Sequence, residues 1–226
     1  PALLTLKIGG LTALERQLWT LHRSGIKRVW VATSPISPLR LPPGLEIRWS
    51  GSQADCAAPY LCVSADHFIR VEALSEIAGS VAEKSSAFQD ETGSVVARLV
   101  VDAGQSAEVD QKPLSQGVSC RIDGDHAQRA LPWLLALGNK PLDGFMARHF
   151  DRHISLSVSS MLLNTRVTPN MMTIFSSTIG LTGAACMLNA AWAWRLAGAL
   201  LVWLHSVLDG CDGELARIRF QESPLG

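Results

Sequence analysis

The 226 residues carry 20 Lys and Arg against 20 Asp and Glu, so the formal net charge is zero and a nucleic-acid partner has no electrostatic support. Hydrophobic residues make up 47% of the chain. The five cysteines form no Cys-x-x-Cys pair and are odd in number, which fits reduced thiols and excludes a zinc site or a disulfide framework as the expected reading.

Taken in order, the chain first reads as alternating helices and strands. Thr12 and Glu15 have capping-box spacing, Leu11, Leu14, Leu18 and Leu21 form an apolar stripe, and Gly25 is a helix stop. Residues 26–32 then predict a strand, followed by a Pro-rich loop around Pro35, Pro38, Pro42 and Pro43. Further strands are predicted at 45–49, 60–64 and 94–101, with a helix over 71–83 and an apolar helix around 130–137. This alternation argues for a soluble α/β, Rossmann-like domain over residues 1–139 with a largely parallel sheet. Pro141 and Gly144 mark a boundary where the composition changes.

Residues 140–226 read differently. Met146, Phe150, Ile154, Val158, Met161 and Leu162 recur at helical spacing, with Arg148, His149, Arg152 and His153 on other faces, as in a helix lying in a bilayer interface. Thr168-Pro169-Asn170 starts the next helix. Residues 171–190 are uncharged, and about 20 such residues suffice to span a hydrocarbon core. Ser176, Gly180 and Ala184 put small residues every four positions, which lets a neighbouring helix approach closely. Residues 189–194 are expected to form a short turn with interfacial Trp, and a second apolar run covers 196–208. Arg148, Arg152 and Arg166 precede the first span and Arg217 and Arg219 follow the second, against Arg195 alone between them, so the soluble domain and the end of the second span are expected to face the cytoplasm.

That second run ends in Asp209-Gly210-Cys211-Asp212-Gly213-Glu214-Leu215-Ala216-Arg217. Carboxylates at a membrane mouth are costly and point to function. If the helix continues, residues 209, 212, 213 and 216 share one face. Asp209 and Asp212 then offer hard oxygen ligands for a divalent cation, Gly213 and Ala216 leave room for a nucleotide or diphosphate, and Arg217 can meet a phosphate. His205 lies one turn earlier on that face. An interhelical hydrogen bond is preferred for it over a catalytic role.

Two resemblances add to this reading. Gly9-Gly10, Leu14-Glu15-Arg16, the following SGIKRVWV and the strand ending in Asp66-His67 make residues 1–139 resemble a sugar nucleotidyltransferase. The resemblance implies that Asp66 binds the metal accompanying a nucleotide; the alternative is a polar cap at a strand end. That family's Gly-rich phosphate loop and its Lys are expected upstream of Gly9, where residues 1–8 do not supply them.

Asp209-x2-Asp212-Gly213-x2-Ala216-Arg217-x8-Gly226 resembles the signature of the CDP-alcohol phosphotransferase family. The resemblance implies an integral membrane bundle of six helices, of which this chain holds an interfacial helix and the first two spans. It implies transfer of a phospho-alcohol group from a CDP-alcohol to an acceptor alcohol with release of CMP. In that family Asp209 and Asp212 would bind Mg²⁺ or Mn²⁺, and Gly213, Ala216, Arg217 and Gly226 would line the CDP site. Two further Asp, one of them the expected base, would follow Gly226. The first Met is Met146 and the chain stops at Gly226, so a fragment cut at both ends is expected, inactive by itself. The expected partners are the CDP-alcohol donor, the acceptor alcohol and the lipid bilayer, with a homodimer through the membrane domain left open. The competing readings are a membrane-anchored scaffold with a degenerate soluble domain, and a bifunctional parent whose soluble domain makes the CDP-alcohol.

Overall fold

The computed structural model describes residues 3–36, 38–49, 58–80, 84–102, 109–122, 127–137, 152–163, 165 and 167–221. The chain divides into two compact units, Pro1–Ala130 and Leu131–Gly226. The expected boundary at Pro141 and Gly144, and the interfacial-helix positions Met146 to Phe150, lie outside the described residues, as does Gly226.

The first unit opens with a tight hairpin, β1 (Lys7–Ile8) and β2 (Leu11–Thr12), turned by Gly9 and Gly10 at positive φ. It runs directly into α1 (Ala13–Arg23). Thr12 caps α1 as its spacing predicts: its hydroxyl accepts from Glu15 N at 3.2 Å, and Glu15 reaches back to Thr12 N at 2.7 Å. Gly25, at φ +87°, closes the helix while Gly25 N and Ile26 N bond back to His22 O and Leu21 O. Leu14 and Leu18 bury the apolar stripe against Val31.

Strands β3 (Arg28–Val31) and β4 (Glu46–Trp49) pair in parallel. Then follow β5 (Tyr60–Val63), β6 (His67–Ile69), α2 (Val71–Gly79), β7 (Ser86–Gln89), β8 (Val95–Val100), β9 (Asp110–Pro113) and β10 (Ser119–Arg121). The largest sheet has the order β5-β8-β7-β9. The largely parallel sheet expected from the sequence is corrected here: among the described residues only β3 with β4 and β7 with β9 are parallel, and the other four pairings are antiparallel. The reason is local. Between β7 and β8 stand Asp90-Glu91-Thr92-Gly93-Ser94, a tight turn that sends the chain straight back rather than over a crossover helix. One carboxylate oxygen of Asp90 accepts from Thr92 N at 2.8 Å, Thr92 Oγ1 at 2.7 Å and Ser94 N at 2.9 Å, and Gly93 takes the positive φ. Ile69, Leu74, Ile77, Phe88, Val96 and Leu99 form the core beneath.

The second unit is helical. After α3 (Ala127–Ala136) come α4 (Arg152–Leu163), α5 (Pro169–Met187) and α6 (Trp192–Ile218). Thr168 caps α5 by accepting from Met171 N, and Pro169 occupies the first turn, where its missing N–H costs nothing. The turn expected at 189–194 is shorter than read, because Trp192 and Trp194 already belong to α6. At 27 residues α6 is about 40 Å long and carries the apolar run and the Asp209–Arg217 stretch as one helix. Among the described residues no helix is long and apolar enough to cross a membrane. The hydroxyls and glycines of α5 lower its apolarity, and Arg195, His205 and Asp209 interrupt that of α6.

The two helices touch through small residues. A Cβ on Gly183 would stand 3.0 Å from Gly198 O, and one on Gly198 would stand 2.6 Å from Gly183 O. The expected stripe of Ser176, Gly180 and Ala184 shifts by one residue along its length: Ser176 and Gly183 are buried, whereas Ala184 is exposed. The period of an α-helix is 3.6, so a spacing of seven keeps a face better than one of eight.

Below this seam Leu163, Met172, Leu208, Cys211, Leu215 and Ile218 form a core. Arg219, buried, closes it. Its guanidinium donates to Val167 O and, at 3.0 Å each, to Leu162 O, Leu163 O and Thr165 O, the carbonyls that end α4 and lead into α5. Leu162 and Leu163 end α4, where carbonyls lack intrahelical partners, and a cation there also complements the helix dipole.

Two outcomes follow from these contacts. Arg219→Met should cost on the order of 3 kcal/mol, since it removes a buried guanidinium's hydrogen bonds to four carbonyls at once. Arg219→Lys should recover only part, because an ammonium lacks the planar fork. Unfolding midpoints of the three proteins in detergent test this, and a Met variant as stable as wild type would refute it. Asp90 supplies the second. Burial opposes its ionisation, but hydrogen bonds from Thr92, Ser94 and His67 outweigh that and hold its carboxyl below the usual range. A lowered folded value means stability that is present above about pH 4, the unfolded value, and lost as pH falls through the folded one. Asp90→Asn should therefore flatten the loss of urea resistance between pH 5 and pH 2 (roughly the window of such a carboxylate); equal slopes in mutant and wild type would contradict it.

Candidate functional site

Asp209 and Asp212 stand on successive turns of α6, on the side away from the core residues Leu208, Cys211 and Leu215. Asp209 and Gly213 are exposed; Asp212, Ala216 and Arg217 are half-buried. The continuous helix therefore brings five of the expected site residues onto one accessible stretch. Thr173, in the second turn of α5, donates its hydroxyl to Asp212 Oδ2 at 2.6 Å.

Gly213 has no packing reason to be glycine. A Cβ built there meets nothing within 4 Å, yet glycine in a helix interior costs about 1 kcal/mol relative to alanine. The open surface over Gly213 and Ala216 can receive a flat or extended group against the helix backbone.

Among the described residues no group of three or more His, Cys, Asp and Glu could hold a metal ion. The two carboxylates of α6 are oxygen donors of the kind a hard divalent cation takes, and such a cation would need its remaining oxygens from a bound phosphate or from water. His205 does not make the interhelical hydrogen bond expected of it at Nδ1, which is buried without a partner. Its ring instead fills the space over Gly180, where a Cβ would come within 2.9 Å of Cγ and Cδ2.

Asp66, in the first unit, sits in the turn between β5 and β6 rather than at the free end of a strand. Its Oδ1 accepts from Ser64 Oγ at 2.5 Å and lies 2.8 Å from His67 Nδ1. His67, only 1% exposed, reaches Asp90 Oδ2 with its other nitrogen at 3.2 Å. Burial opposes ionisation of Asp66, but the bonds from Ser64 and His67 together hold its carboxyl below the usual range. Gln17 on α1 fastens the same turn by donating to Ser64 O and His67 O, both at 3.0 Å. The second oxygen, Oδ2, looks toward Arg121 Nε at 4.0 Å, and the side chain is 38% exposed. Arg16, from the same sequence signature, is structural: it is buried, donates to Ile8 O at 3.0 Å, and burial brings its pKa down to about 10 against a smaller opposing effect of Glu15.

The bonding roles of three residues escape the sequence reading: Asp90, Thr173 and Arg219. Only Asp90 had a local signal, the Asp-x-Thr-Gly-Ser pattern of a side-chain-closed turn. The other two act across 39 and up to 57 residues of chain.

Comparison with known proteins gives one family match and several relatives. A family model described as CDP-alcohol phosphatidyltransferase matches residues 166–226. A "Bifunctional IPC transferase and DIPP synthase" of Thermococcus kodakarensis is 45% identical over 84 residues, 37% of this chain and 18% of that protein. Its namesake in Archaeoglobus fulgidus is 39% identical over 109 residues, 48% of this chain and 21% of that protein. That of Rubrobacter xylanophilus is 42% identical over 99 residues, 44% of this chain and 21% of that protein. The chain thus spans about a fifth of the length of the relatives it matches. From residue 166 onward, the chain is similar to the CDP-alcohol phosphatidyltransferase family.

Proposed function

We propose that this chain contributes to an enzyme that transfers a phospho-alcohol group from a CDP-alcohol to the hydroxyl of an acceptor alcohol, releasing CMP. The observation that carries this reading is the signature Asp209, Asp212, Gly213, Ala216 and Arg217, displayed on one accessible stretch of α6 inside the matched segment. In the reaction the acceptor oxygen forms a bond to the outer phosphorus of the CDP-alcohol. The bond from that phosphorus to the bridging oxygen breaks, and CMP leaves with that oxygen. Asp209 and Asp212 would hold Mg²⁺ or Mn²⁺, which when bound neutralises the diphosphate and the leaving phosphate. Gly213 and Ala216 leave the helix backbone open for the nucleotide, and Arg217, one turn on, can contact a phosphate. The acceptor's proton passes to a base other than these two ligands.

The reading extends to a bilayer setting. Ile174, Phe175, Leu181, Leu188, Leu200 and Trp203 are exposed on α5, α6 and their connection, an apolar surface that lipid would cover. Trp192 and Trp194, exposed at the start of α6, suit the water–lipid boundary. Both the nucleotide site and the first unit would face the cytoplasm.

The first unit would supply the donor by joining a cytidylyl group to an alcohol phosphate. The relatives' names describe a bifunctional protein, a transferase and a synthase in one, which supports that division of labour. There Asp66, already ionised and with Oδ2 toward the surface, would be the metal ligand.

An assay of the whole protein in detergent, with a panel of CDP-alcohols and acceptor alcohols and Mg²⁺ or Mn²⁺, tests the second-unit reading. Asp209→Asn and Asp212→Asn should each lower CMP release by more than about 100-fold, beyond the 10–100-fold typical of losing an outer-sphere partner. Unchanged release in either variant would sink the assignment.

A further inference from the structure

Three threonines of α5 can be compared within one helix. Thr178 and Thr182 do what hydroxyls in helices do by default, donating to the carbonyl four residues back, Ile174 O and Thr178 O, both at 2.8 Å. Thr173 is different. Its distance to the carbonyl four residues back, Pro169 O, stretches to 3.2 Å, while Asp212 Oδ2 on α6 is 2.6 Å away. A hydroxyl has one proton, and the shorter contact to a carboxylate is the stronger bond. The side chain is thus turned from its own backbone toward the neighbouring helix.

We propose that Thr173 is a positioning residue for Asp212. By occupying Oδ2, it fixes the rotation of the carboxylate, a torsion that is otherwise broad, and leaves Oδ1 as the oxygen presented to a divalent cation or to water in its shell. Asp209, one turn earlier on the same helix, has no such bond among the described residues. Thr173 therefore sets the geometry of one ligand of the pair and leaves the other to adapt. The arrangement also makes the site depend on the α5–α6 seam: Thr173 reaches Asp212 because Gly183 and Gly198 let the two backbones meet. The inference rests on the reading of Asp212 as a metal ligand.

The test is a Mn²⁺ titration of the protein in detergent, followed by electron paramagnetic resonance, on wild type and four variants. Thr173→Val removes the hydroxyl at constant volume and should weaken Mn²⁺ binding about 10- to 100-fold. Thr173→Ser keeps the hydroxyl and should retain wild-type affinity. Thr178→Val, which removes a hydroxyl bonded to Ile174 O, should leave it unchanged. Asp212→Asn should abolish the saturable signal. Unfolding midpoints without metal separate a loss of fold from a loss of positioning. If the Val variant at position 173 binds as tightly as wild type while Asp212→Asn does not bind, Thr173 is only a packing residue and the proposal is overturned. If Asp212→Asn binds like wild type, or wild type shows no saturable binding, the metal-ligand reading itself fails.

Discussion

The second unit depends on how closely two helix backbones can approach. With glycine at 183 and 198, α5 and α6 meet carbonyl against Cα, and even a methyl group on Gly198 would lie 2.6 Å from Gly183 O. Glycine weakens each helix by about 1 kcal/mol. What offsets this is contact along the whole seam, from the Gly183–Gly198 crossing past His205 on Gly180 to Thr173 on Asp212. The carboxylate lies at the far end of that seam from the connection. Its partner on α5, Thr173, belongs to the same packed pair of helices.

Arg219 secures the same assembly from the other side. Helix α6 ends in a Schellman pattern, Gln221 N to Ala216 O at 2.7 Å and Phe220 N to Arg217 O at 3.1 Å, with Phe220 at φ +52°. That turn places Arg219 just before the left-handed Phe220, where its guanidinium gathers the carbonyls at the end of α4. The residues that precede α5 are tied to the residue that follows Ile218. The site residues 209–217 thus lie on a length of helix held at both ends, by the glycine crossing and by the arginine.

What the sequence discloses and what it withholds separate along physical lines. Short-range geometry is legible. The Thr12–Glu15 cap, the Gly25 stop and the Thr168-Pro169 start are each decided within a few residues, and each stands where its pattern puts it. Asp209, Asp212 and Gly213 are legible for the same reason, since one helix decides their common face. Sheet pairing is not. Strand β8 pairs with β5 and β7, and whether the neighbours run parallel depends on turns such as Asp90–Ser94, which lie between the predicted elements. Thr173 and Arg219 were invisible because a threonine after Pro-Asn and an arginine after an apolar helix look like any other until the partner helix is placed. The small-residue stripe was legible in kind but not in register: Gly183 rather than Ala184 faces the partner.

The glycines of the second unit also separate structure from function. Gly180, Gly183 and Gly198 are each accounted for by an atom of this chain that a methyl group would strike. Gly213 is not; among the described residues, and apart from its own stretch of helix backbone, nothing lies within 4 Å of where its Cβ would be. Under the proposed reading, the open surface at Gly213 serves a bound group, and the neighbouring residues suggest its chemistry. Two carboxylates flank the opening at 209 and 212, and an arginine lies one turn on at 217. A bare anion would be repelled by the carboxylates. A phosphate-bearing group that arrives with a divalent cation satisfies both signs of charge at once, with its flat or extended portion over Gly213. Asp66 in the first unit contrasts with this pair. One of its oxygens is consumed by Ser64 and His67, and only the other faces outward, so it can offer a cation a single ligand atom where Asp209 and Asp212 together can offer at least two.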